Sequence, residues 1–208
     1  MGWADSVKTS KKTNNHSRSR SDKVALRRLV LEYMPSARVL DAFAGSGSMY
    51  RKVWREADDY VACDQRWYPD DRLAYVCDNR ILMRAVDLQP FNVFDLDAYG
   101  SPWEQVAILC ARRVVAPGEM LGLVLTDGSR LNLKMGGVPL ALRQMAGFIT
   151  KVSGASVLQE EVVDRAIAGT AKALNCELIR RWQATGKTGA GVLYNALILR
   201  GLPAAGGQ

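Results

Sequence analysis

The sequence predicts an α/β chain with a mostly parallel seven-stranded sheet and an antiparallel C-terminal hairpin. Three observations carry this. From Ala37 to Leu125, short apolar runs alternate with amphipathic stretches, as strands do when crossover helices join them. Between Asn175 and Arg200, two apolar runs are separated by little more than ATGKTGA, too short for a crossover helix, so they pair antiparallel at the sheet edge. Four of the earlier runs reach aspartate at their carboxyl side, at Asp41, Asp64, Asp78 and Asp97.

Each element follows from local pattern. Residues 1–20 are rich in Ser, Asn and Lys, show no apolar period and read as a flexible basic arm, leaving 21–208 as the folded domain. Ser21-Asp22 caps a helix running to about Met34, with Val24, Leu26, Leu29, Val30 and Tyr33 apolar, and Pro35 ends it. Strands are expected at Ala37–Phe43, Tyr60–Cys63, Leu73–Cys77, Phe91–Leu96 and Met120–Leu125. Helices are expected at Ser48–Ala57, Arg80–Val86 and Trp103–Val114 between them, then at Val138–Thr150 and Gln159–Ala173. Asn175–Gln183 and Gly191–Arg200 complete the sheet.

Composition narrows the class. Apolar residues make up 48% of 208, enough for the core of one domain. With no run of about eighteen apolar residues, no membrane span is expected. The polar start lacks the apolar segment of a secretory signal, so the expected compartment is the cytoplasm. Cys63, Cys77, Cys110 and Cys176 form no CxxC pair and read as small buried hydrophobes rather than disulfides or zinc ligands. The only histidine is His16, in the polar arm, so neither a histidine-based triad nor a metal site is expected. The net charge is +7, and residues 1–23 hold six cations against Asp5 and Asp22, a surplus of four. Such an arm suits a polyanion partner and equally suits a solvated terminus.

The segment VLDAFAGSGSM, residues 39–49, is a strand that stops at a carboxylate and turns through Gly45 and Gly47 into a helix. In an open α/β sheet, ligands bind at the carboxyl ends of the strands. A dinucleotide site wants a third glycine, where this chain has Tyr50, and Asp41 would repel a pyrophosphate. S-adenosylmethionine suits these residues better. Its ammonium and sulfonium match Asp41, and its carboxylate matches the helix start at Ser48. Asp64 falls where an acid takes ribose hydroxyls, and Asp78 with Asn79 is placed for the adenine amine. The expected cofactor set is Asp41, Phe43, Gly45, Gly47, Asp64, Gln65, Asp78 and Asn79. Gly186-Lys187-Thr188 imitates a phosphate loop, but the pattern needs glycine at Arg181 and a following helix, so a hairpin turn is expected.

VLDAFAGSG resembles motif I of the class I S-adenosylmethionine-dependent methyltransferases, and the terminal hairpin is similar to the end of their Rossmann-like sheet. The specific motifs lie within residues 38–128. After the fourth strand, Asp97-Ala98-Tyr99-Gly100-Ser101-Pro102 is similar to the D-P-F-G-S-P loop of the tRNA (guanine-N2) dimethyltransferase family, with Ala98 in place of the loop proline. LVLTDG is similar to that family's fifth strand, whereas the chain has no room for the family's extra C-terminal domain. The resemblance implies methylation of an exocyclic base amine, in RNA ahead of DNA, with tRNA first.

The residue types suit that chemistry. Asp97 is expected to accept a hydrogen bond from the amine and localise its lone pair, and Tyr99 to stack on the base. Transfer is an in-line displacement in which positioning does most of the work and no metal is needed. The alternatives are a DNA amino-methyltransferase, a methyltransferase acting on a protein or small molecule, and a binding subunit without catalysis. Recognition is expected from the arm, from Arg130 and Lys134, and from the region of Arg66 and Arg72, with a homodimer or partner subunit as a further source of surface.

Overall fold

The computed structural model describes residues 17–147, 156–186 and 191–203. Its sheet comprises β1 (Arg38–Asp41), β2 (Asp59–Asp64), β3 (Ala74–Val76), β4 (Val93–Leu96), β5 (Met120–Asp127), β6 (Cys176–Thr185) and β7 (Leu193–Gly201), in the order β3-β2-β1-β4-β5-β7-β6. The first five strands pair parallel. β7 runs antiparallel to both β5 and β6, so the hairpin's second strand lies inside the sheet and its first forms the edge. Chain order reverses between β1 and β4, which opens a crevice at their carboxyl ends.

Strand alternation sorts the side chains into two cores. Leu40, Phe94, Leu96 and Leu123 point to one face, against Met83 of α3 (Asn79–Ala85), Trp103 and Leu109 of α4 (Trp103–Arg112), and Val163 of α7 (Gln159–Ala173). Val39, Val93 and Ile198 point to the other, against Val30 of α1 (Ser17–Tyr33) and Trp54 of a short 3-10 turn, Trp54–Glu56. The remaining helices are α2 (Ser48–Lys52), α5 (Arg130–Lys134) and α6 (Leu140–Ala146). Among the described residues, no helix is long and apolar enough to cross a membrane.

Several boundaries differ from expectation for physical reasons. α1 begins at Ser17, so Ser17–Arg20 belong to the helix and not to an arm; residues 1–16 lie outside the described part. A polar first turn has no apolar period to reveal it, yet it extends readily from a helix already anchored by Leu26 and Val30. The expected helix Ser48–Ala57 breaks at Val53, where φ is −141°, and the break turns the Trp54 indole inward. β4 begins at Val93 because the Asn92 side chain accepts from the Arg38 amide and donates to the Ser36 carbonyl. The helix expected at Val138–Thr150 is α6, closed by Gly147 at φ 74°; residues 148–150 lie outside the described part. α5, only five residues long, was not anticipated. Most of the turn containing Gly186-Lys187-Thr188, residues 187–190, also lies outside it.

Candidate functional site

The glycine turn leaves β1 at Asp41 and is gripped from both sides. Gly45 and Gly47 adopt φ 48° and 76°, where a Cβ is strained. The Gly45 amide donates to Asp64 Oδ2 at 2.8 Å, and the Arg66 amide donates to Asp64 Oδ1 at 2.9 Å. Asp64 is therefore a brace for the turn, with two of its roughly four lone-pair sites left for a ligand hydroxyl. Arg72 crosses above it, donating from Nη2 to the Gly45 carbonyl at 2.9 Å while Nε binds Asp70. Arg72 is buried in this role, which removes it from the expected nucleic-acid surface.

Asp41 is buried as well. Its oxygens accept from the Tyr60 hydroxyl at 2.9 Å and the Phe43 amide at 3.1 Å. Burial, and then the neighbouring Asp95, hold its carboxyl well above the ordinary range. Asp41 thus lines the cavity with its carboxyl held toward the protonated form. Asp78 caps α3 and pairs with Arg80, whose hydrogen bond holds its carboxyl down at about 2. Asn79 donates to the Ala42 carbonyl at 2.8 Å and accepts from Gln105 at 2.8 Å, tying α3 and α4 to the turn. Gln65 is exposed just beyond Asp64.

The fourth strand carries a charge cluster. Arg27 of α1 is fully buried and forks onto Asp95, with Nε at 2.6 Å and Nη2 at 2.7 Å. Trp54 Nε1 donates to the same carboxylate at 2.6 Å. Arg27 Nη2 also reaches Asp97 at 3.2 Å, and Lys23 Nζ donates to both Asp97 oxygens at 2.6 and 2.8 Å. Burial opposes the ionisation of Asp97, but Arg27 and then Lys23 outweigh it and keep the carboxyl below its ordinary range. Burial likewise disfavours the Arg27 cation, yet Asp95 and Asp97 more than compensate. Asp97 is therefore an ion-paired carboxylate, where the sequence suggested a free acceptor.

These groups meet at one small cavity of about 120 Å³, lined among others by Lys23, Asp41, Phe43, Gly45, Ser46 and Asp97. Gly47, Asp64, Gln65, Asp78, Asn79 and Tyr99 are not part of its wall. Tyr99 projects into solvent at 91% exposure beyond the buried Ala98. Gly100, at φ 111°, bends that loop, and its carbonyl accepts from the Gly128 amide at the end of β5.

Lys23, Arg27 and Asp95 are site residues that the sequence reading does not single out, and Arg72 is one that it assigns to the surface. Asp95 had a visible signal, an acid within the apolar run VFDL. Lys23 and Arg27 fall in line with Val30 and Met34 at helical spacing, which places two cations on α1's buried stripe.

No protein-family model matches the sequence, and no curated protein matches it. Solved structures do match the fold. Trm1 from Pyrococcus horikoshii, in complex with S-adenosyl-L-methionine, superposes with a TM-score of 0.57 at 15% identity over 88% of this chain; the chain spans 55% of that protein's length. The N-methyltransferase NodS from Bradyrhizobium japonicum WM9, with S-adenosyl-L-homocysteine, gives 0.53 at 12% identity over 90% of this chain and 89% of NodS. A SAM-dependent methyltransferase from Methanosarcina mazei gives 0.51 at 14% identity, covering 85% and 98%. The chain has the Rossmann-like fold of these methyltransferases.

Proposed function

We propose that the chain is an S-adenosylmethionine-dependent methyltransferase acting on an exocyclic amine of a nucleic-acid base, in RNA ahead of DNA and of the tRNA guanine-N2 kind. The single observation that carries this is the adjacency of the glycine-turn cavity and the Asp97 loop at the carboxyl ends of neighbouring strands β1 and β4. Cofactor and acceptor then meet at the switch point of the sheet.

In this reading Gly45 and Gly47 admit the amino-acid end of the cofactor, Asp64 faces the ribose, and Asp78 with Asn79 lies toward the adenine. Phe43 and Gln65 flank it. When bound, S-adenosylmethionine supplies the activated methyl group. Asp97 would accept a hydrogen bond from the acceptor amine and localise its lone pair, the amine proton passing to solvent once the nitrogen is methylated. To do so it must release part of its bond to Lys23. Tyr99, free in solvent, is available for stacking. Arg66, Arg130 and Lys134 are exposed and suited to phosphate contacts.

The test incubates the protein with methyl-labelled S-adenosylmethionine and, separately, unmodified tRNA, ribosomal RNA, duplex DNA and total protein. Label is expected in RNA, tRNA first, on an exocyclic nitrogen. Label in DNA alone would assign the chain to DNA, and label in protein alone would remove the nucleic-acid reading.

A further inference from the structure

Lys23 is a charged group of the cavity wall to which the methyl-transfer reading gives no role. Its ammonium lies on both Asp97 oxygens and 5.5 Å from the centroid of the Tyr194 ring on β7. A carboxylate on one side and an aromatic face on the other is how proteins hold a cation, because the ring's negative face attracts it. Tyr194 is itself buried, so this slot is built into the fold.

The two cations of the cluster differ in freedom. Both line the cavity, but Arg27 is fully buried and forked onto Asp95, whereas the Lys23 side chain is 18% exposed. Lysine carries its charge on a flexible stem and can leave where the planar, bidentate arginine cannot. Lys23 and Arg27 pair with the carboxylates Asp95 and Asp97, beside Arg20 and Asp41 on the same wall; once Lys23 leaves, Asp97 keeps only the 3.2 Å contact to Arg27 among its ion pairs. The vacated slot therefore favours a cation over a neutral group.

We propose that Lys23 is an internal counter-ion in a cation slot formed by Asp97 and Tyr194, and that the sulfonium of S-adenosylmethionine competes with it for that slot. The proposal rests on the cofactor reading above. It makes Lys23 a specificity residue. S-adenosylmethionine and S-adenosylhomocysteine share ammonium, carboxylate, ribose and adenine, and differ in the charged methylsulfonium. Lys23 must either withdraw for the sulfonium or stay and repel it. Both penalise the charged cofactor more than its neutral product. In the unliganded protein the same lysine keeps Asp97 from standing as an unmatched, largely buried charge.

Calorimetry on the full chain tests this with both ligands against wild type, Lys23→Met and Lys23→Arg, with thermal melts to verify folding. Lys23→Met is expected to raise the affinity ratio of S-adenosylmethionine to S-adenosylhomocysteine about tenfold, the scale of one partly screened charge pair. Lys23→Arg, which keeps the charge and grips Asp97 more rigidly, is expected to lower the ratio below wild type, and a rise in it would overturn the proposal. A ratio unchanged in Lys23→Met, with both ligands still binding, would overturn the proposal. So would an equal loss for both ligands, which would make Lys23 a contact to their shared part. If wild type bound neither ligand, the cofactor reading would fall first, and this inference with it.

Discussion

Arg72 occupies the space that a side chain at Gly47 would need: a Cβ on Gly47 would lie 2.8 Å from Arg72 Cζ. Gly47 also sits at φ 76°, which costs a non-glycine residue about 1–2 kcal/mol. Gly47→Ala is thus expected to destabilise the fold by about that amount and to weaken S-adenosylhomocysteine binding further by lifting Arg72 off the Gly45 carbonyl. Removing the guanidinium in Gly47→Ala/Arg72→Met should relieve the steric part only. Melts and calorimetry separate the two effects; full recovery in the double variant would mean that backbone strain at Gly47 is negligible.

Asp95 and Arg27 form the most deeply buried ion pair of the cluster, each side chain at 0% exposure. Breaking such a pair from one side strands a buried charge, at about 3–5 kcal/mol, whereas replacing both partners by apolar groups of similar size costs far less. Asp95→Ala should lower stability by about that much. Arg27→Met/Asp95→Leu should cost less than the sum of its single changes. Urea unfolding of wild type, Arg27→Met, Asp95→Leu and the double variant measures this, and additive losses would show that the pair is not coupled.

Most of the fold was legible because strand alternation and helical spacing report burial directly. Gln159–Ala173 matches its expected bounds, and the hairpin followed from a connection too short for a helix. What escaped depends on partners distant in sequence. Arg72 looked like surface until Asp70 and the glycine turn closed around it, and Asp97 looked free because Lys23 lies 74 residues away. Cys63 and Cys77, fourteen residues apart, form no local motif, yet adjacent strands bring their sulfurs to 3.9 Å. Burial pushes the Cys63 thiol up to about 12, away from the thiolate form.

Asp41 and Asp97 give opposite pH dependence. The folded-state carboxyl of Asp41 is raised, so its contribution is complete below the ordinary carboxylate value of about 3.9 and is lost as pH rises through the folded value. That of Asp97 is lowered, so its contribution is present above about 3.9 and lost as pH falls through the folded value. Asp41→Asn cannot ionise and should gain stability relative to wild type as pH rises from about 4. Urea midpoints across that range measure the difference, and an offset constant with pH would mean that folding leaves the Asp41 carboxyl unshifted.

The basic arm and Tyr99 should affect nucleic-acid binding by different physics. A truncation must stop before Ser17, since α1 begins there and Arg20 lines the cavity. Deleting residues 1–16 removes Lys8, Lys11 and Lys12. If these contact phosphates, counterion release is reduced, so tRNA affinity should fall and its dependence on salt should flatten. Tyr99→Ala should leave stability unchanged, because the ring is 91% exposed, and weaken tRNA binding by about 1–3 kcal/mol through lost stacking. Stacking on a neutral ring releases no counterions, so the salt slope of Tyr99→Ala should stay that of wild type. Neither change should alter S-adenosylhomocysteine affinity. Filter binding of tRNA at several salt concentrations separates the two contributions. A truncated protein with the wild-type slope would make residues 1–16 a passive tail, and a Tyr99→Ala protein with wild-type affinity would remove the ring from the acceptor site.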